Sequence, residues 1–137
     1  ELQEYLHSLK VREILEAEAA FTAANNVSKT DIKKARKNLK MVETQNPYSM
    51  LSHWQSDEEV HGLFIDACPN RVLREVIRSL RSTTKLFEIE NLAERLEPDS
   101  RQHDAILTSL LSNDKEASKT SVQLHIRSLY EFALRVL

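Results

Sequence analysis

The chain has 137 residues, 41% hydrophobic and 29% charged, which suits one soluble domain with a single substantial core. Its net charge of −2 offers no global field for nucleic acid or an anionic membrane, and no apolar run approaches the roughly 18 residues of a membrane span. One glycine and three prolines are too few for the turns of a sheet protein, and the lone Cys68 excludes an internal disulfide and fits a reducing cytoplasm.

Glu1 to about Asn25 reads as a first helix, with Leu2, Leu6, Leu9, Val11, Leu15 and Ala19 marking a drifting apolar stripe. Ser28 or Thr30 can cap a second helix, with Asp31 favourable in its first turn. That helix sets Ile32, Ala35, Leu39 and Val42 on one face and Lys33, Lys34, Arg36, Lys37 and Lys40 around a solvated outer face. Asn46-Pro47 predicts a cap and a first-position proline for a third helix running to about Cys68. Met50, Trp54, Asp57, His61, Phe64 and Cys68 share one face of it, so an acid and a histidine interrupt a stripe of core-type residues.

Pro69-Asn70 breaks that helix and Asn70 caps a fourth, whose inner face is Leu73, Val76, Ile77, Leu80 and Phe87 beside a basic stripe of Arg74, Arg78, Arg81 and Lys85. Pro98-Asp99-Ser100 is expected to start a fifth helix, with Ile106, Leu107, Leu110 and Leu111 inward. Ser112-Asn113-Asp114 is a tight connection, and Asp114 caps a sixth helix that carries Val122, His125, Ile126, Leu129 and Phe132 inward. The fold class is all-α, an antiparallel bundle of about six helices forming one domain over residues 1–137.

Asp57 and His61 are four residues apart and stack on one helical face, where a carboxylate and an imidazole can grip one ion. His103 lies eleven residues before Asp114 and His125 eleven after it. In an antiparallel hairpin, equal distances from the turn place two residues at one height. Both histidines also fall on the apolar stripe of their helix, so the spacing points to a metal site of Asp57, His61, His103 and His125. Three imidazoles and a carboxylate suit zinc or nickel, with iron or manganese as further options. His53, also four residues from Asp57, is read as a surface residue or a support for the ligands. Gly62, beside His61 in mid-helix, suggests close approach of a neighbouring helix. Trp54 lies over His61 by helical angle and is expected to wall the site.

Val11-Arg12-Glu13-Ile14-Leu15-Glu16 with Ala19-Ala20 and Ala23-Ala24, then Asp57-x-x-x-His61 with Leu63, Ala67 and Asn70, form two ordered motifs. Gln102-His103-x-x-Ile106-Leu107 and Asn113-Asp114-x-x-x-Ala117, with His125 beyond, add two more. Together they resemble the FCD domain, the effector-binding and dimerisation half of FadR/VanR-type regulators of the GntR family, over nearly the whole chain. Val60 departs from the phenylalanine that the family usually carries there.

The resemblance implies that Asp57, His61, His103 and His125 bind a divalent ion, zinc first and nickel next, and that a small carboxylate effector completes its coordination. It further implies a homodimer, and DNA binding through an N-terminal winged helix-turn-helix that this chain lacks. Arg12 resembles an arginine that points into the effector cavity in relatives, set against a surface salt bridge with Glu16. Arg78 and Arg81 are candidates to reach the same cavity, set against a solvated outer face. Two other functions compete with the sensor: a metal-dependent enzyme acting on a small organic acid, and a bundle that a metal merely staples. The chain shows no nucleophile motif, and Glu58 and Glu59 fall off the ligand face, which favours the sensor.

Overall fold

The computed structural model describes residues 1–137 and contains six α-helices and no strand. They are α1 (Leu2–Ala23), α2 (Lys29–Thr44), α3 (Met50–Ala67), α4 (Arg71–Glu90), α5 (Leu96–Leu111) and α6 (Lys115–Val136), with a 3-10 turn at Leu92–Arg95 between α4 and α5. The all-α bundle expected from composition and periodicity is therefore the fold. No helix is long and apolar enough to cross a membrane.

Four caps follow one rule, an oxygen accepting an otherwise orphaned N–H of the first turn. Ser28 accepts from Asp31, Ser49 from Ser52, Asn70 from Leu73 and Asp114 from Ala117. The start of α3 corrects the expectation of an Asn46 cap. Residues 45–49 form a loop, with Ser49 extended (φ −116°, ψ 113°), so Ser49 is the first side chain placed to cap. The hydroxyl of Tyr48 meets His53 Nδ1 at 2.7 Å and fastens the loop to the helix it precedes. The start of α5 is also earlier than expected: Pro98 lies within its first turn, where the missing N–H would have had no helical partner.

Between α5 and α6, Asn113 adopts φ 57°, the left-handed conformation that ends helices. Its N–H donates to Leu110 O at 3.1 Å and that of Asp114 to Ser109 O at 3.2 Å. The chain reverses within three residues and the hairpin forms.

The core is contributed by every helix. On α1 the buried positions are Tyr5, Leu9, Arg12, Glu16, Ala17, Ala19, Ala20 and Ala23, a helical stripe with two charges in its middle. The alanines let α6 pack closely along α1, while α3 touches α1, α2, α4 and α5. Ile32, Ala35 and Leu39 of α2 meet Phe64, Leu107, Leu110, Val122 and Ile126 in one apolar cluster. Burying each large side chain contributes about 1.5–3 kcal/mol. Val76 departs from the inner face assigned to it and is 43% exposed, whereas Arg81 leaves the expected solvated stripe and is buried.

Candidate metal centre

The hairpin geometry brings His103 and His125 together, with their Nε2 atoms 3.2 Å apart and both side chains buried. From α3, Asp57 Oδ1 lies 3.4 Å from His103 Nε2 and 3.5 Å from His61 Nε2. The four residues therefore offer donor atoms that all lie within 4.8 Å of one another, at a point enclosed by three helices. An ion with bonds of about 2.0–2.1 Å places adjacent ligands about 2.9–3.4 Å apart. The three closer spacings, 3.2–3.5 Å, match such an ion, and the widest, up to 4.8 Å, has to close slightly to share it.

The protonation pattern also fits. Gln102 Oε1 accepts from Arg95 Nη2 at 3.1 Å and faces His125 Nδ1 at 2.7 Å, so that nitrogen carries the proton and Nε2 presents a lone pair. His61 Nδ1 faces Glu16 Oε1 at 2.7 Å. Burial opposes ionisation of Glu16, but Arg12 and the adjoining His61 hold its carboxyl well below the usual carboxylate range. As an ionised acceptor it places the His61 proton on Nδ1. His61 Nε2 is then a buried lone pair with no hydrogen-bond partner, aimed at Asp57 and His103.

Burial pushes His61 down, helped by Arg81, and pushes His125 well down, helped by the two neighbouring imidazoles. Asp57 is fully desolvated, yet His61 and Arg81 hold it well below the ordinary range. Neutral imidazoles and an ionised carboxylate are the forms that bind a cation.

A shell of charged side chains supports these ligands, much of it unexpected from the sequence. Arg12 Nε donates to Glu16 Oε2 at 2.6 Å, and Nη1 donates to Glu88 Oε1 at 2.6 Å and to Thr84 Oγ1 at 3.1 Å. The Arg12–Glu16 pair exists as the i,i+4 spacing suggested, but it is buried in the bundle and not on its surface. Arg12 Nη2 has no partner. Arg81 Nη2 donates to Asp57 Oδ2 and to Glu58 Oε1, each at 2.8 Å, which draws Arg81 out of solvent.

Beyond His125, Arg95 donates to Asp99 Oδ1 from Nε and Nη2 at 3.0 and 2.8 Å, and Asp99 Oδ2 meets His53 Nε2 at 2.9 Å. His53 is thus buried, not a surface residue, and its partner is Asp99 and not the ligand cluster. Glu16 was legible only as a partner for Arg12. Its phase with Tyr5, Leu9, Ala19 and Ala23 is the signal that marks it as a core residue.

The remaining candidates lie elsewhere. Trp54 is half-buried and lines an open cleft with Arg78, Arg81 and Lys85, with the Lys85 ammonium 5.3 Å from its ring centre. It does not wall the histidines. Arg78 is exposed and paired with Asp66. No neighbouring helix crowds Gly62: a Cβ there would meet only the Asp66 carboxylate, at 3.7 Å.

A second, nearly closed cavity of about 20 Å³ adjoins the cluster at Asp57, between the end of α4, the 3-10 turn and the last turns of α6. Glu88, Asn91, Arg95 and Asp99 are its other polar lining residues, and Tyr5, Phe87 and Phe132 its aromatic ones. Comparison with protein families finds that the FCD domain matches residues 7–128. No curated protein matches the chain.

Proposed function

Because the chain belongs to the FCD domain family, the ligand-binding regulatory domains of GntR-family transcription regulators, we propose that it senses a small carboxylate through a divalent ion held by Asp57, His61, His103 and His125. The observation that carries this reading is the convergence of three imidazole Nε2 atoms and one carboxylate oxygen, with His61 Nε2 buried and unpartnered. Zinc is the first choice for a nitrogen-rich set of this kind and nickel the next. When bound, the ion supplies a Lewis-acid anchor for a carboxylate oxygen.

The chain's own residues do the rest. Glu16 and Gln102 fix the ring orientations and tautomers of His61 and His125, as supports of metal-bound histidines do. Arg81 orients Asp57. Arg12, whose buried Nη2 has no partner, is a candidate donor for an anionic effector, and its bond to Glu88 ties α1 to α4. A ligand that draws on Arg12 changes the balance between these helices, provided it prefers one arrangement over the other. Trp54, Arg78 and Arg81 line a separate open cleft, and of the three Arg81 is the one that touches the cluster, through Asp57.

The family reading adds a homodimer. DNA binding then belongs to an N-terminal winged helix-turn-helix, the regulator works in the cytoplasm, and the domain itself is not an enzyme.

Elemental mass spectrometry tests the metal reading. About one equivalent of zinc or nickel is expected in the parent protein, and none in the His103→Ala/His125→Ala double variant. A parent protein that takes up neither ion near neutral pH would remove the ion from the mechanism. Light scattering reads the dimer.

A further inference from the structure

We propose that the effector is a monocarboxylate with an apolar or aromatic body, not a citrate-like polyacid or a sugar acid. This deepens the carboxylate-sensing reading and rests on it. Two independent features of the buried interior lead here.

The first is the charge count around the cluster. The buried guanidinium groups are those of Arg12, Arg81 and Arg95, and the buried carboxylates are those of Glu16, Asp57, Glu88 and Asp99. Glu58, whose side chain is half in solvent, lies outside the count. Glu88 is counted as Arg12's partner at 2.6 Å, although burial raises its carboxyl above the usual carboxylate value. His53 meets the Tyr48 hydroxyl through Nδ1 and Asp99 through Nε2, and it adds neither a guanidinium nor a carboxylate to the count.

The interior therefore carries one more negative than positive charge. A divalent ion turns this into a single positive excess, which one carboxylate neutralises. A tricarboxylate would leave two uncompensated negative charges in a buried site, and buried unpaired charge is costly.

The second feature is the cavity beside Asp57. Of the four ligand residues only Asp57 borders it, so the cavity meets the cluster at that edge. Its lining is mostly apolar, with Glu88, Asn91, Arg95 and Asp99 as the polar members besides Asp57. Tyr5 and Phe87 stack with ring centres 4.8 Å apart, and Leu129 and Phe132 close the other side. Three of the polar groups are already committed: Arg95 to Asp99, Gln102 and Ser128, Asp99 to Arg95 and His53, and Glu88 to Arg12. Beyond Asn91, hydroxyl groups of a sugar acid would have to compete with those bonds, whereas a hydrocarbon body needs only the rings.

The volume of about 20 Å³ holds one water, so a ligand body must move a wall. The final turn of α6 is the candidate, because Val136 and Leu137 line the cavity while more than a third exposed.

Isothermal titration of the zinc-loaded protein with acetate, hexanoate, benzoate and citrate tests the assignment. Hexanoate and benzoate are expected to bind at least about tenfold more tightly than acetate, from the apolar area their bodies bury, with citrate weakest. Phe132→Ala, or the milder Phe132→Leu where alanine impairs folding, should bring hexanoate down toward acetate and leave acetate unchanged. Equal affinity for acetate and hexanoate, or citrate as the tightest ligand, would overturn the proposal while carboxylate sensing survives. Phe132-dependent binding of hexanoate to protein that takes up no zinc would support the apolar cavity and sink the metal reading instead. Zinc uptake with no binding of any of the four acids would overturn both the proposal and carboxylate sensing.

Discussion

Two regions of one core are held together by different physics. Toward the α2 side, Ile32, Ala35, Leu39, Phe64, Leu107 and Leu110 form a dry apolar cluster. Toward α4, Arg12, Glu16, Asp57, Arg81 and three histidines are equally buried but almost entirely hydrogen-bonded or ion-paired. Apolar contacts are non-directional and roughly additive, so the first region loses stability in proportion to what is removed. In the second, each charge was desolvated on the strength of its partner, so removing one strands another. The first region gives stability, and the second holds the four candidate ligands in place.

The sharpest way to break this comparison is a matched pair of substitutions. Arg12→Met strands Glu16 and Glu88 and is expected to cost about 3–5 kcal/mol in urea unfolding. Leu107→Ala, in the dry cluster, should cost about 3 kcal/mol. The two differ more in what rescues them: adding Glu16→Gln to Arg12→Met should recover part of the loss, and no polar change rescues Leu107→Ala. Simple additivity in the first double variant would sink the idea of interdependence.

Acid should separate the regions next. His61 and His125 are held below 6.5, their ordinary value, so the unfolded chain binds protons there that the folded chain does not. Metal-free protein should therefore lose stability as pH falls through about 6.5, by about 1.4 kcal/mol per pH unit for each of the two groups. Glu16, whose folded carboxyl is depressed, adds a further loss as pH falls below 4.5. A flat stability profile between pH 7 and 5.5 would contradict the neutral, buried assignment of these rings.

The smallest effect concerns a position belonging to neither region. Gly62 has no crowding neighbour, so Gly62→Ala should raise stability by about 0.5–1 kcal/mol through helix propensity alone. Destabilisation on thermal melting would show a constraint on that turn of α3 that its surroundings do not reveal.

The two regions were also unequally legible in the sequence. The apolar stripes of α2, α5 and α6 follow from helical periodicity, and the meeting of His103 with His125 follows from a symmetric hairpin, because both depend on near neighbours. Arg12, Glu16 and Arg81 resisted the same treatment. A charged residue is assigned to solvent unless its partner is known, and the partners of Arg12 and Arg81 include Glu88 and Asp57, 76 and 24 residues away. Asn46 failed as a cap for a related reason. Propensity cannot see that Tyr48 would be fastened to His53 and leave Ser49 to start the helix.

The reversal at Asn113 has a consequence for how the chain finds its fold. It brings together two histidines only 22 residues apart, so that half of the cluster can assemble by local zippering at little loop-closure cost. The Glu16–His61 and Arg12–Glu88 contacts span 45 and 76 residues and must wait for the long-range collapse of α1, α3 and α4. Substitutions at the Asn113 turn should therefore slow folding, while those at Arg12 should chiefly hasten unfolding, a difference that stopped-flow kinetics can read from the two limbs of a denaturant plot.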